Sequence, residues 1–155
     1  MVKKKYGEKI KLYKGTIAKN SINSNKKFEN FFDLIIIDDV FGWVSRETIL
    51  QSITNIDNLL KDDGYIFIRD FIPDKRIKNK NHHVKGDFVF NFKVPESHAS
   101  IFLSTGIYET YWQKVFYDKI GMSTKYKTDN IFNYRWTDII LKKSLKNYFV
   151  ESSKK

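Results

Sequence analysis

Two adjacent carboxylates, Asp38 and Asp39, stand at the end of an apolar run in "FDLIIIDDVFGWV", residues 32–44. Carboxylates at such a position can accept hydrogen bonds from a ligand amine or from sugar hydroxyls. The alternative is that one of them simply caps the loop or helix that follows. A second charged pair, Arg69 and Asp70, lies in the next apolar run, "YIFIRDFIP". All three histidines, His82, His83 and His98, fall in the stretch after it. Histidine titrates near neutral pH, which suits a general base, although loop histidines are commonly just solvated. On a regular strand neighbours point to opposite faces, so His82 and His83 cannot both serve one site from a strand. "NHHVKGD" lacks strong ligand spacing, and no metal is expected. Phe88, Phe90, Phe92 and Tyr108 can line a pocket or pack in a core.

The elements that position these residues follow from periodicity. "EKIKLYKGTIAKN" alternates and reads as a short strand ending near Gly15. Phe32 to Ile37 is apolar without alternation, as in a strand buried on both faces of a parallel sheet. Ile35, Ile36 and Ile37 are β-branched and favour strand over helix. Residues 46–61 carry Ile49, Leu50, Ile53, Ile56, Leu59 and Leu60 at helical spacing, with Ser45 as N-cap and Gly64 as the stop. Residues 65–71 form the next strand, and Pro73 ends it. Strand, helix and strand with short connections make a βαβ unit with parallel strands. Residues 74–104 read as an irregular excursion with a short strand in "DFVFNFKVP". A second helix is expected over about 106–120, with Ile107, Tyr108, Tyr111, Trp112, Val115, Phe116 and Ile120 on one face and Gly121 at its end. "STKYKT" and "RWTDIILKK" fit an antiparallel strand pair. Trp43, Trp112 and Trp136 are assigned to the core or its edge. Residues 1–146 are expected to form one domain and 147–155 a loose tail.

Composition bounds the function classes. The chain has 155 residues, enough for one domain with a real core. Hydrophobic residues are 41% and aromatics 16%, which is not a disordered composition. With no cysteine, disulfides and thiolate metal sites are excluded. No apolar run approaches the roughly 18 residues that span a bilayer, and no signal-peptide core is present at the N-terminus, so a soluble cytoplasmic protein is expected. The net charge of +10 is compatible with a nucleic-acid partner. Weighing against it, only Arg46, Arg69, Arg76 and Arg135 of the 28 basic residues are arginine, and phosphate and base recognition favours arginine forks.

The stretch from "FDLIII" through "NIDNLLKDDGYIFIRDFIP" resembles the middle of a class I S-adenosylmethionine-dependent methyltransferase. That family shows an FDLI strand, a loop, an amphipathic helix, then an LLK-x-x-G segment leading into a strand and a proline. The resemblance covers about residues 10–143. It implies an α/β fold: a partial Rossmann-like methyltransferase sheet, with a parallel βαβ unit, a helix and a C-terminal antiparallel hairpin. It also implies S-adenosylmethionine as cofactor, and methyl transfer to oxygen, nitrogen or carbon of a small or sugar-like acceptor. Cofactor contacts would fall to Ile37, Asp38 and Asp39, and, if "KIKLYKGTIA" matches the family's third strand, to Gly15 and Thr16. Arg69, Asp70, His82 and His83 would contact the acceptor or remove its proton, with Phe88, Phe90 and Tyr108 lining its site.

The family's glycine-rich cofactor loop, however, has no counterpart among the seven glycines, Gly7, Gly15, Gly42, Gly64, Gly86, Gly106 and Gly121. The chain is therefore expected to correspond to the C-terminal half to two-thirds of a methyltransferase, inactive alone. In this fold the first strand lies beside the fourth. Without it, Phe32 to Ile37 would become an open sheet edge. Either "KIKLYKGTIA" fills that place, or a homodimer or a second chain supplies the missing strands. A non-catalytic methyltransferase-like scaffold subunit is the rival from another class.

Overall fold

The computed structural model describes residues 10–19, 22, 25–45, 47–72, 77–80, 85–86, 88–91, 97–117 and 135–145. A seven-residue strand, β1 (Phe32–Asp38), leads through a 3-10 turn at Phe41–Trp43 into helix α1 (Ile49–Leu59). The chain then passes without a loop into strand β2 (Leu60–Phe71). Strands β3 (Ile77–Lys80) and β4 (Phe88–Asn91) form a separate two-stranded antiparallel sheet. A single helical turn, α2 (Ser100–Leu103), precedes strands β5 (Tyr108–Tyr117) and β6 (Arg135–Lys143). The main sheet has the order β1-β2-β6-β5. β1 and β2 are parallel, with Ile37 beside Ile68 and Asp38 beside Arg69. β6 runs antiparallel to both β2 and β5.

The βαβ unit is as expected from the sequence, with shifted edges. The helix starts at Ile49, its N-cap is Thr48 rather than Ser45, and Ser45 instead shares a 2.9 Å hydroxyl contact with Thr48. Gly64 does not end the helix. It lies buried inside β2, where a Cβ would come within 2.9 Å of the Lys61 carbonyl oxygen. Ile53 and Ile56 point into the core, while Leu50, on the same expected stripe, is exposed.

The helix expected over 106–120 is strand β5. Its Tyr, Thr, Trp, Val and Phe residues are strong strand formers. A register shift between Thr110 and Trp112 breaks the alternation that marks a strand. β6 is the expected "RWTDIILKK" strand, but its partners are β5 and β2. "STKYKT" lies outside the described residues, as do residues 147–155. Residues 10–14, expected as part of a strand, carry none, and Gly15 forms an isolated β-bridge; the strand order gives β1 the single strand neighbour β2 among the described residues.

The sheet has two unlike faces. On one, Ile37, Ile66, Ile68, Ile139 and Leu141 pack with Ile53 and Ile56 of α1 and with Ala99 and Phe102. The other carries Leu34 and Ile36 from β1, Tyr65 and Phe67 from β2, Ile140 from β6 and Trp112 from β5, as the register dictates. Strand β1 is therefore not buried on both faces: Leu34 is 51% and Ile36 64% exposed, against 3% for Ile37. Trp112 is likewise exposed rather than core. Among the described residues no α-helix covers this second face, and β1 is an edge strand with one neighbour.

Candidate active site at the carboxyl ends of β1 and β2

In an open α/β sheet, ligands bind beyond the carboxyl ends of the strands. Asp38 and Asp39 occupy that position on β1, and both are exposed. Asp39 adopts a left-handed backbone, with φ of 53°, and its N–H donates to the Arg69 carbonyl at 2.8 Å. That bond fixes the end of β1 to the end of β2 and turns the chain out of the strand. Aspartate tolerates this conformation better than most residues.

The turn that follows is held from below. Asp70 is fully buried, and its carboxylate accepts from the Gly42 N–H at 3.1 Å and from the Phe71 N–H at 2.9 Å. Gly42 is required by space. A Cβ there would lie 2.3 Å from the Phe71 ring and 3.1 Å from an Asp70 oxygen. Burial raises the Asp70 pKa to about 7, against the lowering effect of the Gly42 N–H, with the Asp39 charge adding to the rise. His98 lies beside it, Nδ1 to carboxylate 3.7 Å, with its ring 5.8 Å from that of Phe41. Burial lowers the His98 pKa to about 4, and its Nδ1 has no hydrogen-bond partner. Two neutral groups in contact, rather than an ion pair, describe this dyad between about pH 4 and 7.

Alternation of the strand sends Arg69 to the other face. There it forms a bidentate pair with Asp138 of β6, both bonds 2.7 Å. The arginine fork is therefore engaged within the sheet. Strand β4, which carries Phe88 and Phe90, runs beside the Phe41–Trp43 turn. Phe88 is exposed, with the Lys78 ammonium 4.1 Å from its ring centroid.

The remaining expected residues are not all brought here. Tyr108 lies in register with Lys143, at the opposite end of the sheet from Asp38. Its hydroxyl donates to Asp57 at 2.6 Å, and its ring packs on Phe102. Thr16 hydrogen-bonds Lys19 locally, and Asn55 of α1 tethers the adjoining carbonyls of Ile17 and Ala18. Gly15, one residue before, has an extended backbone with φ of 156°. His82 and His83 lie outside the described residues. Sequence reasoning did not single out His98, which is buried rather than exposed in a loop. Its only signal was its place just before the apolar "ASIFL" turn. No cluster of three metal-binding side chains occurs among the described residues, and no helix there is long and apolar enough to cross a membrane.

No protein-family model matches the sequence, and no curated protein does. The fold, in contrast, matches solved structures. The 1,6-didemethyltoxoflavin-N1-methyltransferase of Burkholderia thailandensis, solved with 1,6-didemethyltoxoflavin and S-adenosylhomocysteine, superposes with a TM-score of 0.62 at 14% identity over 93% of this chain. A SAM-dependent methyltransferase of Methanosarcina mazei gives 0.60 at 11% identity over 85%. One of Archaeoglobus fulgidus gives 0.55 at 16% identity over 90%. The chain thus has the Rossmann-like fold of class I SAM-dependent methyltransferases. It spans 55% of the length of the first of these proteins and 66% of the second.

Proposed function

We propose that the chain provides the acidic strand-end portion of a SAM-dependent methyl-transfer site, acting on a small or sugar-like acceptor, and that the lone chain does not turn over. The observation that carries this reading is the placement of Asp38 and Asp39 at the carboxyl end of β1, locked to β2 by the Asp39 N–H to Arg69 bond. The residues present fit the polar part of a nucleoside as hydrogen-bond acceptors: two exposed carboxylates accept from hydroxyl or amine groups. The seven glycines include no closely spaced set to cradle an amino-acid end. S-adenosylmethionine, when bound, supplies a methyl group carried on a sulfonium. The chain's own residues orient and hold. Asp38 and Asp39 accept hydrogen bonds, the Asp70–Gly42 contact fixes the turn beneath them, and the β3–β4 sheet beside that turn offers Phe88 to an acceptor. His82 and His83 are the candidates for taking its proton. Methyl transfer is a displacement at carbon, so alignment and proton removal are the protein's main tasks.

The test is a titration of the isotope-labelled chain with S-adenosylhomocysteine up to millimolar concentration, followed by NMR. The amide signals of Ile37, Asp38 and Asp39 are expected to shift, and Asp38→Asn to reduce the shift. Absence of any shift at these residues at the highest concentration would sink the reading. The exposed apolar sheet face and the open β1 edge favour a second reading, a non-catalytic methyltransferase-like subunit that holds a partner. Partner binding without any cofactor-dependent shift, alone or in complex, is its signature.

A further inference from the structure

The basic charge of the chain is unevenly spread. Residues 1–33 hold nine lysines against three acidic residues, so about a fifth of the sequence carries +6 of the net +10. Among the described residues of this stretch, Lys11, Lys14, Lys19, Lys26 and Lys27 are all exposed. They are interleaved with an aromatic cluster at the amino end of β1. The Phe28 ring lies 5.8 Å from Tyr13 and 5.4 Å from Phe31, and Phe31 lies 5.2 Å from Phe32. Phe28 is buried, but Tyr13 is 43% and Phe31 51% exposed. The Lys27 ammonium stands 5.1 Å from the centre of the Phe28 ring.

Beside this cluster is an open cleft of about 150 Å³, lined by Asn25, Lys26, Glu29, Asn55, Asn58 and Leu59. Backbone bonds tie it to the rings: the Asn30 N–H donates to the Asn58 carbonyl at 2.8 Å, and the Phe31 N–H to the Leu59 carbonyl at 3.0 Å. Asn55 is buried and engaged, its amide donating to the carbonyls of Ile17 and Ala18, which holds the Thr16–Lys19 turn against α1. The side chains of Lys26, Glu29 and Asn58 form no hydrogen bond or ion pair among the described residues. They offer the cleft both donors and acceptors. A space of this size holds one six-membered ring. All of this lies at the start of the seven-residue strand β1, roughly 20 Å along it from Asp38.

Exposed cations, exposed aromatic rings and a polar cleft the size of one ring select the ligand together. A single-stranded nucleic acid brings the matching parts: phosphates for lysines, flat bases for stacking, and base edges that both donate and accept. The scarcity of arginine argues against reading base edges in a duplex groove. It leaves this mode untouched, since lysines can follow a phosphate backbone and stacking needs no arginine fork. An anionic lipid surface would also attract the lysines, but it has no use for the Glu29 carboxylate among them. A base amine or imide N–H does. We infer that the aromatic and lysine surface at the amino end of β1 binds single-stranded nucleic acid. Phosphates lie on Lys14, Lys26 and Lys27, one base stacks on Phe31, and a neighbouring pyrimidine ring enters the cleft at Asn58. The site is separate from the acidic strand ends and does not rest on the methyl-transfer reading.

Fluorescence anisotropy of the full chain with labelled oligothymidylate and oligouridylate, each about eight nucleotides long, tests this. An abasic oligomer with the same number of phosphates is the comparison. Binding of either pyrimidine oligomer about tenfold or more tighter than the abasic one supports the inference, and the tighter of the two names the sugar. Affinity should fall steeply between about 50 and 200 mM salt. Phe31→Ala should weaken pyrimidine binding by about fivefold or more and narrow the gap to the abasic oligomer. Lys26→Gln with Lys27→Gln, at exposed positions where folding is not at stake, should lower the slope of log affinity against log salt by about 1.4. Lys114→Gln, exposed on β5, should change neither quantity. No binding of either oligomer at millimolar chain, equal affinity for the abasic oligomer, or a slope unmoved by the Lys26 and Lys27 changes each overturn the proposal. So does binding to vesicles of phosphatidylcholine with one-third phosphatidylserine in place of the oligomers, which would make the surface a lipid-binding one.

Discussion

The buried carboxylate of Asp70 accepts the backbone N–H of Gly42 at 3.1 Å, joining the end of β2 to the turn that leaves β1. The contact requires glycine on the turn, because the Phe71 ring occupies the space a Cβ would take. Gly42→Ala is therefore expected to destabilise the chain by about 1–3 kcal/mol through overpacking. It should also move the amide signals of Asp38 and Asp39. Urea unfolding with an unchanged denaturant slope measures the first effect. A midpoint equal to that of the unsubstituted chain would show that the turn is not held this way.

The same carboxylate and its neighbour His98 should give opposite pH signatures. Asp70 has a folded pKa of about 7, raised from 3.8 chiefly by burial. Its contribution is full below pH 4 and is lost as pH rises to 7, because the folded state holds the proton longer. His98 has a folded pKa of about 4, lowered from 6.5 by burial. Its contribution is full above pH 6.5 and is lost as pH falls to 4. Each is worth on the order of 3–4 kcal/mol across its range. The two slopes cancel in large part between about pH 4 and 6.5. Asp70→Asn, which can still accept from Gly42, should leave a stability that rises with pH in that window. His98→Gln should leave one that falls. Urea midpoints at five or six pH values for the three proteins decide it, and parallel profiles would refute the assignment.

The sequence was most informative where one physical signal dominated. The β-branched run Ile35–Ile37 and the stripe Ile53, Ile56, Leu60 announced the β1–α1–β2 unit, and the charges at Asp38 and Asp39 marked the carboxyl end of its first strand. Strand β5 was misread because Tyr108, Tyr111, Trp112, Val115 and Phe116 also fit a helical spacing. The shift at Tyr111 hides the two-residue period, and edge exposure removes the usual polar alternation. The apolar character of Leu34 and Ile36 predicted burial that the described chain does not supply, a mismatch that only the three-dimensional sheet exposes. The Asp70–His98 contact joins residues far apart in sequence, and no local pattern encodes it.

At the far end of the sheet, Lys143 is buried with its ammonium 3.1 Å from Asp57 and 3.0 Å from the Asp57 carbonyl. Tyr108 donates to the same carboxylate, and burial, with the Asp57 bond, pushes its hydroxyl pKa strongly upward. Tyr108→Phe is expected to cost about 1–2 kcal/mol by leaving Asp57 one donor short. Lys143→Met should cost about 1–3 kcal/mol, reduced by the access of water to Asp57. A cycle of the two single variants and the double variant should show coupling of at least about 0.5 kcal/mol through Asp57. In any turnover-competent complex, Tyr108→Phe should leave the KM for the acceptor unchanged, since Tyr108 lies away from Asp38. An altered KM with unaltered stability would instead put Tyr108 in the acceptor site.

Asp39 combines a conformational role with a charge, and three substitutions separate them. Its left-handed backbone, φ 53°, costs a side chain with a Cβ about 1 kcal/mol, less for asparagine and nothing for glycine. Asp39→Gly should match or exceed the original stability, Asp39→Asn should match it, and Asp39→Ala should lose about 0.5–1 kcal/mol. All three keep the backbone N–H that donates to Arg69. All three also remove a negative charge that helps to hold the Asp70 pKa up, so the Asp70 titration should move down in each by the same sense. The ligand response separates them from the conformational series. If the carboxylate accepts from a nucleoside hydroxyl or amine, Asn should keep a weakened S-adenosylhomocysteine shift at Ile37 and Asp38, and Gly and Ala should lose it alike despite their different stabilities. A response that tracks stability instead would make Asp39 a turn residue and leave Asp38 as the contact on β1.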